Sequence, residues 1–394
     1  MEKFRNYFKI IISTGLAMFS MFFGAGNVVF PLDLGRFAGN MNFYAILGLL
    51  ITAVLVPFIG LLAMFLFSGD YSSFFNRIGK IPGLILSAFL LALIGPFMAM
   101  PRCVTLSFST LQSYIPGVSL FYFSLVFCAV LFVFAFKRAR ILDLLGTILS
   151  PLLLISLIIL IVKGIFFTHP VARVIDFSKT QIFMYGLTEG YYTMDLLGAF
   201  FFSVVILLGL KKSFGSGFSF KDKIGKRKFY LVTIISSIIG AGLLALVYIG
   251  FSYVASFYSL ELLNIEKDKV LSVLSSVVLG SAGGIVANMA VILACLTTAL
   301  TLAVVFAEFI QNALFKNKLN YKSSLLITLI LTFAMSNLGF MGIIKFSTPI
   351  LLIIYPVLIV LTLVNLANKL FGFKYVKIPV AISLITSIVW YFVK

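Results

Sequence analysis

Charge is the scarcest commodity in this chain. Only 11% of its 394 residues are Asp, Glu, Lys or Arg, against roughly a quarter in an ordinary soluble domain. That excludes a water-soluble globular protein. Histidine occurs once, at His169, and cysteine three times, at Cys103, Cys128 and Cys295. These residues have the spacing of neither a metal centre nor a disulfide framework, so the cysteines read as small apolar residues. With one histidine and no nucleotide-binding glycine loop, a membrane enzyme lacks its catalytic groups. Acids are fewer than bases, and the net charge is +18. The excess does not point to nucleic acid, because the charges sit in short loops between apolar runs.

What is abundant is apolar surface. Hydrophobic residues make up 62% of the chain and phenylalanine alone numbers 44; the mean hydropathy is +1.17. A bilayer span needs roughly 20 such residues, and by that rule there are about eleven spans: 8–32, 42–68, 82–110, 119–136, 141–166, 182–210, 230–256, 283–312, 323–343, 346–368 and 375–393. Leu271–Leu279 is apolar but short, and reads as part of an outer loop folding over an entrance. Lysines and arginines concentrate in alternate loops, above all between Lys211 and Lys228. The positive-inside rule then puts the N-terminus in the cytoplasm and, with eleven spans, the C-terminus outside. The basic start, apolar run and Gly24-Ala25-Gly26 also have the form of a cleaved leader, but the segment is read as a retained first span.

Two spans are interrupted. Span one contains Phe22-Phe23-Gly24-Ala25-Gly26-Asn27-Val28-Val29-Phe30-Pro31. Glycine and asparagine are poor choices for a smooth lipid-facing helix. They suit one that unwinds at mid-membrane, where freed N–H and C=O groups must find partners other than lipid. Span six contains Met184-Tyr185-Gly186-Leu187-Thr188-Glu189-Gly190-Tyr191-Tyr192-Thr193-Met194-Asp195. The first break centres on Ala25 and the second on Thr188. Broken spans one and six in two five-span halves are the plan of an inverted-repeat secondary transporter. A channel would need a continuous lined pore instead. The first repeat covers about 8–166, the second about 182–368, and 375–393 is an extra span.

Several residue types here can carry chemistry. Backbone N–H groups of Ala25, Gly26 and Asn27 begin a half-helix whose positive end attracts an anion such as a carboxylate; a close-packed small-residue helix crossing is the alternative. Asn27 is a polar residue that needs a partner in either case. Glu189 and Asp195 are intramembrane acids, costly and functional as a rule. Glu189, beside Gly190 in the second break, suits a substrate ammonium, a cation or a proton. Asp195 suits a tie between helices, for example to Arg102, which could equally lie near the outer interface and snorkel. Phe22, Phe23, Tyr191, Tyr192 and Met194 could read an apolar substrate side chain, or simply pack. Thr297 and Thr298 offer adjacent hydroxyls, or bond back to their own helix.

The motifs have a family resemblance. Phe22-Phe23-Gly24-Ala25-Gly26-Asn27 with Phe30-Pro31 resembles the first helix of the branched-chain amino-acid:cation symporters, the LIV-II carriers. Ile94-Gly95-Pro96-Phe97 with Pro101-Arg102, Glu189-Gly190-Tyr191-Tyr192-Thr193-Met194-Asp195, and Cys295-Leu296-Thr297-Thr298-Ala299 resemble their third, sixth and eighth spans. The resemblance implies an all-α membrane protein of LeuT type. It also implies import of leucine, isoleucine and valine, driven by sodium, through a bacterial inner membrane. Proton coupling or exchange on the same fold is the alternative. By the same resemblance the substrate meets Phe22, Ala25, Gly26, Asn27, Glu189, Gly190 and Tyr191. Sodium is held by Thr297 and Thr298 with carbonyls near Ser20 and Phe23, and no other cofactor is implied. The family usually has twelve spans against eleven here, a difference outside its ten-helix core.

Overall fold

A computed structural model of the chain describes residues 2–136, 150–167, 172–214 and 223–393. The basic residues Lys137, Arg138, Arg140 and Lys221, and also His169, lie outside the described residues. Every regular element among the described residues is helical. Span one runs as Glu2–Phe22 and Ala25–Ala38. Span two is Asn42–Leu50 continued through a π turn into Val56–Leu66. Span three is Lys80–Ala92 and Ala99–Gln112. Spans four and five are Leu120–Phe136 and Ser150–Phe166. Span six is Lys179–Thr193 and Asp195–Phe214. Span seven is Lys223–Phe257. Spans nine, ten and eleven are Tyr321–Ser336, Gly339–Phe371 and Lys377–Val393.

Span eight belongs to the helix Val270–Phe309, which bends at Gly280 (φ 75°, ψ 176°). Only glycine adopts that backbone geometry at little cost. The bend separates the short apolar segment before it from the span proper, so Leu271–Leu279 is helical.

The first break falls where the glycines lie. Gly24 is extended (φ −118°, ψ −164°) between the two halves of span one. The second lies later than Thr188, the centre expected from the sequence. Lys179–Thr193 is an unbroken helix, and the chain turns at Met194, in left-handed geometry (φ 61°, ψ 20°). Glu189, Gly190 and Tyr191 are therefore helical, not unwound. The reason is that the glycines of this segment serve packing. A Cβ on Gly186 would stand 2.0 Å from the Ala45 carbonyl oxygen, and one on Gly190 2.0 Å from Thr52 Oγ1. Gly48 in span two answers them, its Cβ position 2.2 Å from the Phe183 carbonyl oxygen. Small residues thus let spans two and six cross almost backbone to backbone.

The remaining surface is what a lipid solvent selects. Leu47, Ile85, Leu125, Ile158, Leu246, Ile330 and Ile385 are exposed, one on each of seven spans. In water, apolar exposure on so many elements would form an aggregating patch. The phenylalanine excess partly goes into packing: Phe74 meets Phe67, Phe75 and Phe200 with ring centroids 5.1–5.3 Å apart, a favoured separation for aromatic pairs.

Candidate functional site

The two breaks face each other. A Cβ on Gly26 would stand 3.2 Å from both the Cα and the carbonyl oxygen of Thr193. Asn27 binds the breaks together. Its Oδ1 accepts from the Gly24 N–H at 3.0 Å, which caps its own half-helix. Its Nδ2 donates to Asp195 Oδ1 at 2.7 Å and Oδ2 at 3.0 Å. The Tyr248 hydroxyl in span seven donates to Asp195 Oδ2 at 2.7 Å, and the Asn27 amide also contacts its oxygen. Asn27 and Asp195 are both buried, so each polar atom needs such a partner.

Further groups satisfy the loose backbone of the second break. The N–H of Leu196 donates to the Tyr355 hydroxyl at 3.3 Å. That hydroxyl donates in turn to the Thr52 carbonyl at 2.9 Å. The Tyr192 carbonyl accepts from Arg102 Nη1 at 2.7 Å. Arg102 is thus buried at the centre of the bundle rather than snorkelling at an interface, and it is not the partner of Asp195.

A cavity of about 40 Å³ lies between the breaks, with Phe22, Gly24, Ala25, Gly26, Asn27, Arg102, Asp195 and Thr298 in its walls. It has room for a few waters and far less than the roughly 300–1,000 Å³ of an open ligand pocket. The breaks are closed on one another here. A larger cavity of about 840 Å³ lies between the first half of span six and spans ten and eleven, lined by Tyr191, Leu352 and Trp390 among others. Neither break contributes to its walls, so the site is assigned to the smaller one.

Of the expected cation ligands, Thr298 and Phe23 come together: the Thr298 hydroxyl donates to the Phe23 carbonyl at 3.3 Å. The Thr297 hydroxyl turns back to the Ala294 carbonyl at 2.8 Å. Ser20 is half-buried in the last turn before the break. The oxygens available are hydroxyl and carbonyl, a hard set suited to sodium.

Among the expected substrate residues, Phe22, Ala25, Gly26 and Asn27 line the central cavity, whereas Glu189, Gly190 and Tyr191 do not. Tyr191 stacks on Tyr355 with centroids 4.5 Å apart. Glu189 belongs to a charged cluster. Lys267, at the start of the segment before Gly280, lies 2.5 Å from Asp33 Oδ2 and 3.7 Å from Glu189 Oε1. Asp33 also pairs with Arg36 at 2.6 Å, and Arg36 reaches the carbonyls of Leu262 and Ile265. Sequence reasoning missed Tyr248, Tyr355 and Lys267. A tyrosine in the middle of an apolar span is the signal that marks the first two.

These features have counterparts in known proteins. The family described as branched-chain amino acid transport protein matches residues 8–393. The branched-chain amino acid permease BrnQ of Bacillus subtilis (strain 168) is 32% identical over 375 residues, 92% of this chain and 82% of the relative. Among solved structures, MhsT in complex with L-phenylalanine superposes with a TM-score of 0.59 at 14% identity, over 97% of this chain and 98% of that one. The inward-facing conformation of Mhp1 gives 0.60 at 13%, over 97% and 89%. At such identity the likeness is one of fold: an all-helical LeuT-type bundle with spans one and six broken, as the paired interruptions in the sequence led us to expect.

Proposed function

The chain belongs to the branched-chain amino acid transport protein family, and from that premise we propose that it imports leucine, isoleucine and valine by sodium-coupled alternating access. The cell membrane of a bacterium is the proposed location, with the N-terminus in the cytoplasm and the C-terminus outside. A reporter active only in the cytoplasm, fused after Lys394, is then silent; activity there would refute the orientation.

The observation that carries the transport reading is the meeting of two broken helices at Asn27 and Asp195. Each break frees backbone groups that lipid cannot satisfy, and a polar solute at mid-membrane can. The N–H groups of Ala25, Gly26 and Asn27 open the second half of span one and favour the substrate's carboxylate. Asp195 is the acid in the cavity wall and the natural counter-charge for the ammonium group. Phe22 offers apolar surface to the side chain.

Sodium coupling is supported by the contact of the Thr298 hydroxyl with the Phe23 carbonyl. An ion there would draw span eight onto the first break, linking ion occupancy to the shape of the substrate cavity. A proton is the second reading. Asp195 is held by neutral donors only, and Glu189 Oε2 is buried without a hydrogen-bond partner. Uptake of radiolabelled leucine into proteoliposomes tests both. Accumulation that follows an imposed sodium gradient supports the first; accumulation that follows a pH gradient in sodium-free buffer refutes it in favour of the second. No leucine uptake under either gradient would refute the transport reading itself.

A further inference from the structure

Arg102 is a buried charge in direct contact with no carboxylate among the described residues. Span three is kinked ahead of it: Leu93–Phe97 is a π turn containing Pro96, with Gly95 outside helical geometry (φ −81°, ψ −122°). The kink starts a new helix at Ala99, and its first turn delivers Arg102 to the wall of the cavity between the two breaks. The side chain is 1% exposed. Its Nη1 donates to the Tyr192 carbonyl and its Nη2 to the Ser347 hydroxyl. The guanidinium stands over the Phe30 ring at 5.4 Å. Its Nε has no partner, and no carboxylate pairs with it among the described residues.

Every one of those contacts is neutral. An arginine stays charged in any protein environment, and a buried ion is costly unless an opposite charge meets it. Elsewhere in the molecule that condition is satisfied: Lys267 and Arg36 share Asp33. In this cavity the only carboxylate wall group among the described residues, Asp195, is occupied by Asn27 and Tyr248. The cavity thus carries one positive and one negative side chain that do not neutralise each other. That pattern is complementary to a zwitterion.

We propose that Arg102 is a substrate-binding residue, its guanidinium taking the carboxylate of a free α-amino acid together with the N–H groups of the first break. The inference rests on the transport reading and deepens it: it names the unblocked carboxylate as the group selected. A planar fork of donors matches a carboxylate better than a point charge does. The Tyr192 carbonyl holds the fork in place from the second break, so substrate binding draws on both broken helices.

Equilibrium binding to the full chain in lipid nanodiscs tests this, with leucine and leucine amide as the two probes. The amide keeps the side chain and the ammonium and lacks the anion. The wild-type protein is expected to prefer leucine by at least about 30-fold, the scale of a charge-assisted hydrogen bond. Arg102→Gln should weaken leucine by about 10- to 100-fold and leave the amide within about threefold, erasing the preference. Arg102→Lys should fall between, since it keeps charge without the fork. Unchanged leucine affinity in Arg102→Gln, or equal loss for both probes, overturns the proposal. So does failure of both variants to assemble, which would make Arg102 a strut of the fold. Absence of leucine binding by the wild type would instead sink the transport reading, and this inference with it.

Discussion

Gly190 stands where two explanations compete, and one substitution separates them. As part of a substrate site, its missing side chain would leave room for a ligand. The structure gives the room to span two. A Cβ at Gly190 would sit 2.0 Å from Thr52 Oγ1, 3.0 Å from Thr52 Cβ and 3.2 Å from the Ala53 nitrogen. Ordinary contact begins near 3.4 Å, so Gly190→Ala demands a movement of about 1.4 Å. The hydroxyl is not free to give way, since it donates to the Leu187 carbonyl at 2.8 Å, and the Thr52 carbonyl is held by Tyr355 at 2.9 Å. Overpacking of this kind costs about 1–3 kcal/mol. Gly190→Ala should therefore lower the thermal midpoint of the purified protein in nanodiscs. Adding Thr52→Ala removes the closest atom and leaves contacts that need only a few tenths of an ångström. The double variant should recover most of the lost midpoint, and leucine affinity should recover with it. A Gly190→Ala protein with a normal melting midpoint but weakened leucine binding, unrepaired by Thr52→Ala, would refute the packing account and return Gly190 to the substrate.

Three more changes address the rest of the site. Thr298→Ala should weaken the sodium dependence of leucine uptake by about tenfold, the scale of one ligand contact to a charge, whereas Thr298→Ser should be mild; equal tolerance of both would remove the cation assignment. Gly26→Val places a branched side chain against the Thr193 backbone, 3.2 Å from the first carbon alone, and should abolish leucine binding while the protein still reaches the membrane; normal binding would refute the facing-breaks geometry. Glu189→Gln removes a partner of Lys267 and should slow uptake several-fold with leucine affinity within about threefold, because Glu189 stands outside the walls of the central cavity; loss of binding would show instead that Glu189 touches the substrate.

How much of this was legible beforehand varies with the residue. Gly24-Ala25-Gly26 marks the first break directly, because the conformational signal and the functional position coincide. The second break was placed too early for a physical reason. Gly186, Thr188, Glu189 and Gly190 make that stretch look unwound, yet its glycines serve a helix crossing and its glutamate an ion cluster. The turn itself falls on Met194, a residue whose left-handed geometry no propensity announces. Thr298 was legible as a potential ligand, and its meeting with Phe23 was expected from the family resemblance alone. Lys267 was not, since a basic residue in a loop ordinarily reads as a solvated charge. Its partners, Asp33 and Glu189, both lie more than seventy positions earlier in the sequence, and only the folded chain brings them to it.

The position of Asn27 has a consequence for how such a protein can change over generations. One side chain serves as acceptor for its own helix start and as donor to the acid across the gap. Aspartate at this place would keep the acceptor and set two carboxylates face to face. Serine would keep the cap and fall short of Asp195. Glutamine carries the right groups one methylene too far out. Among the twenty side chains, only a short primary amide fits both jobs. Changing either member of the pair alone therefore breaks the link between the two broken helices. The two positions are tied chemically although they stand 168 residues apart.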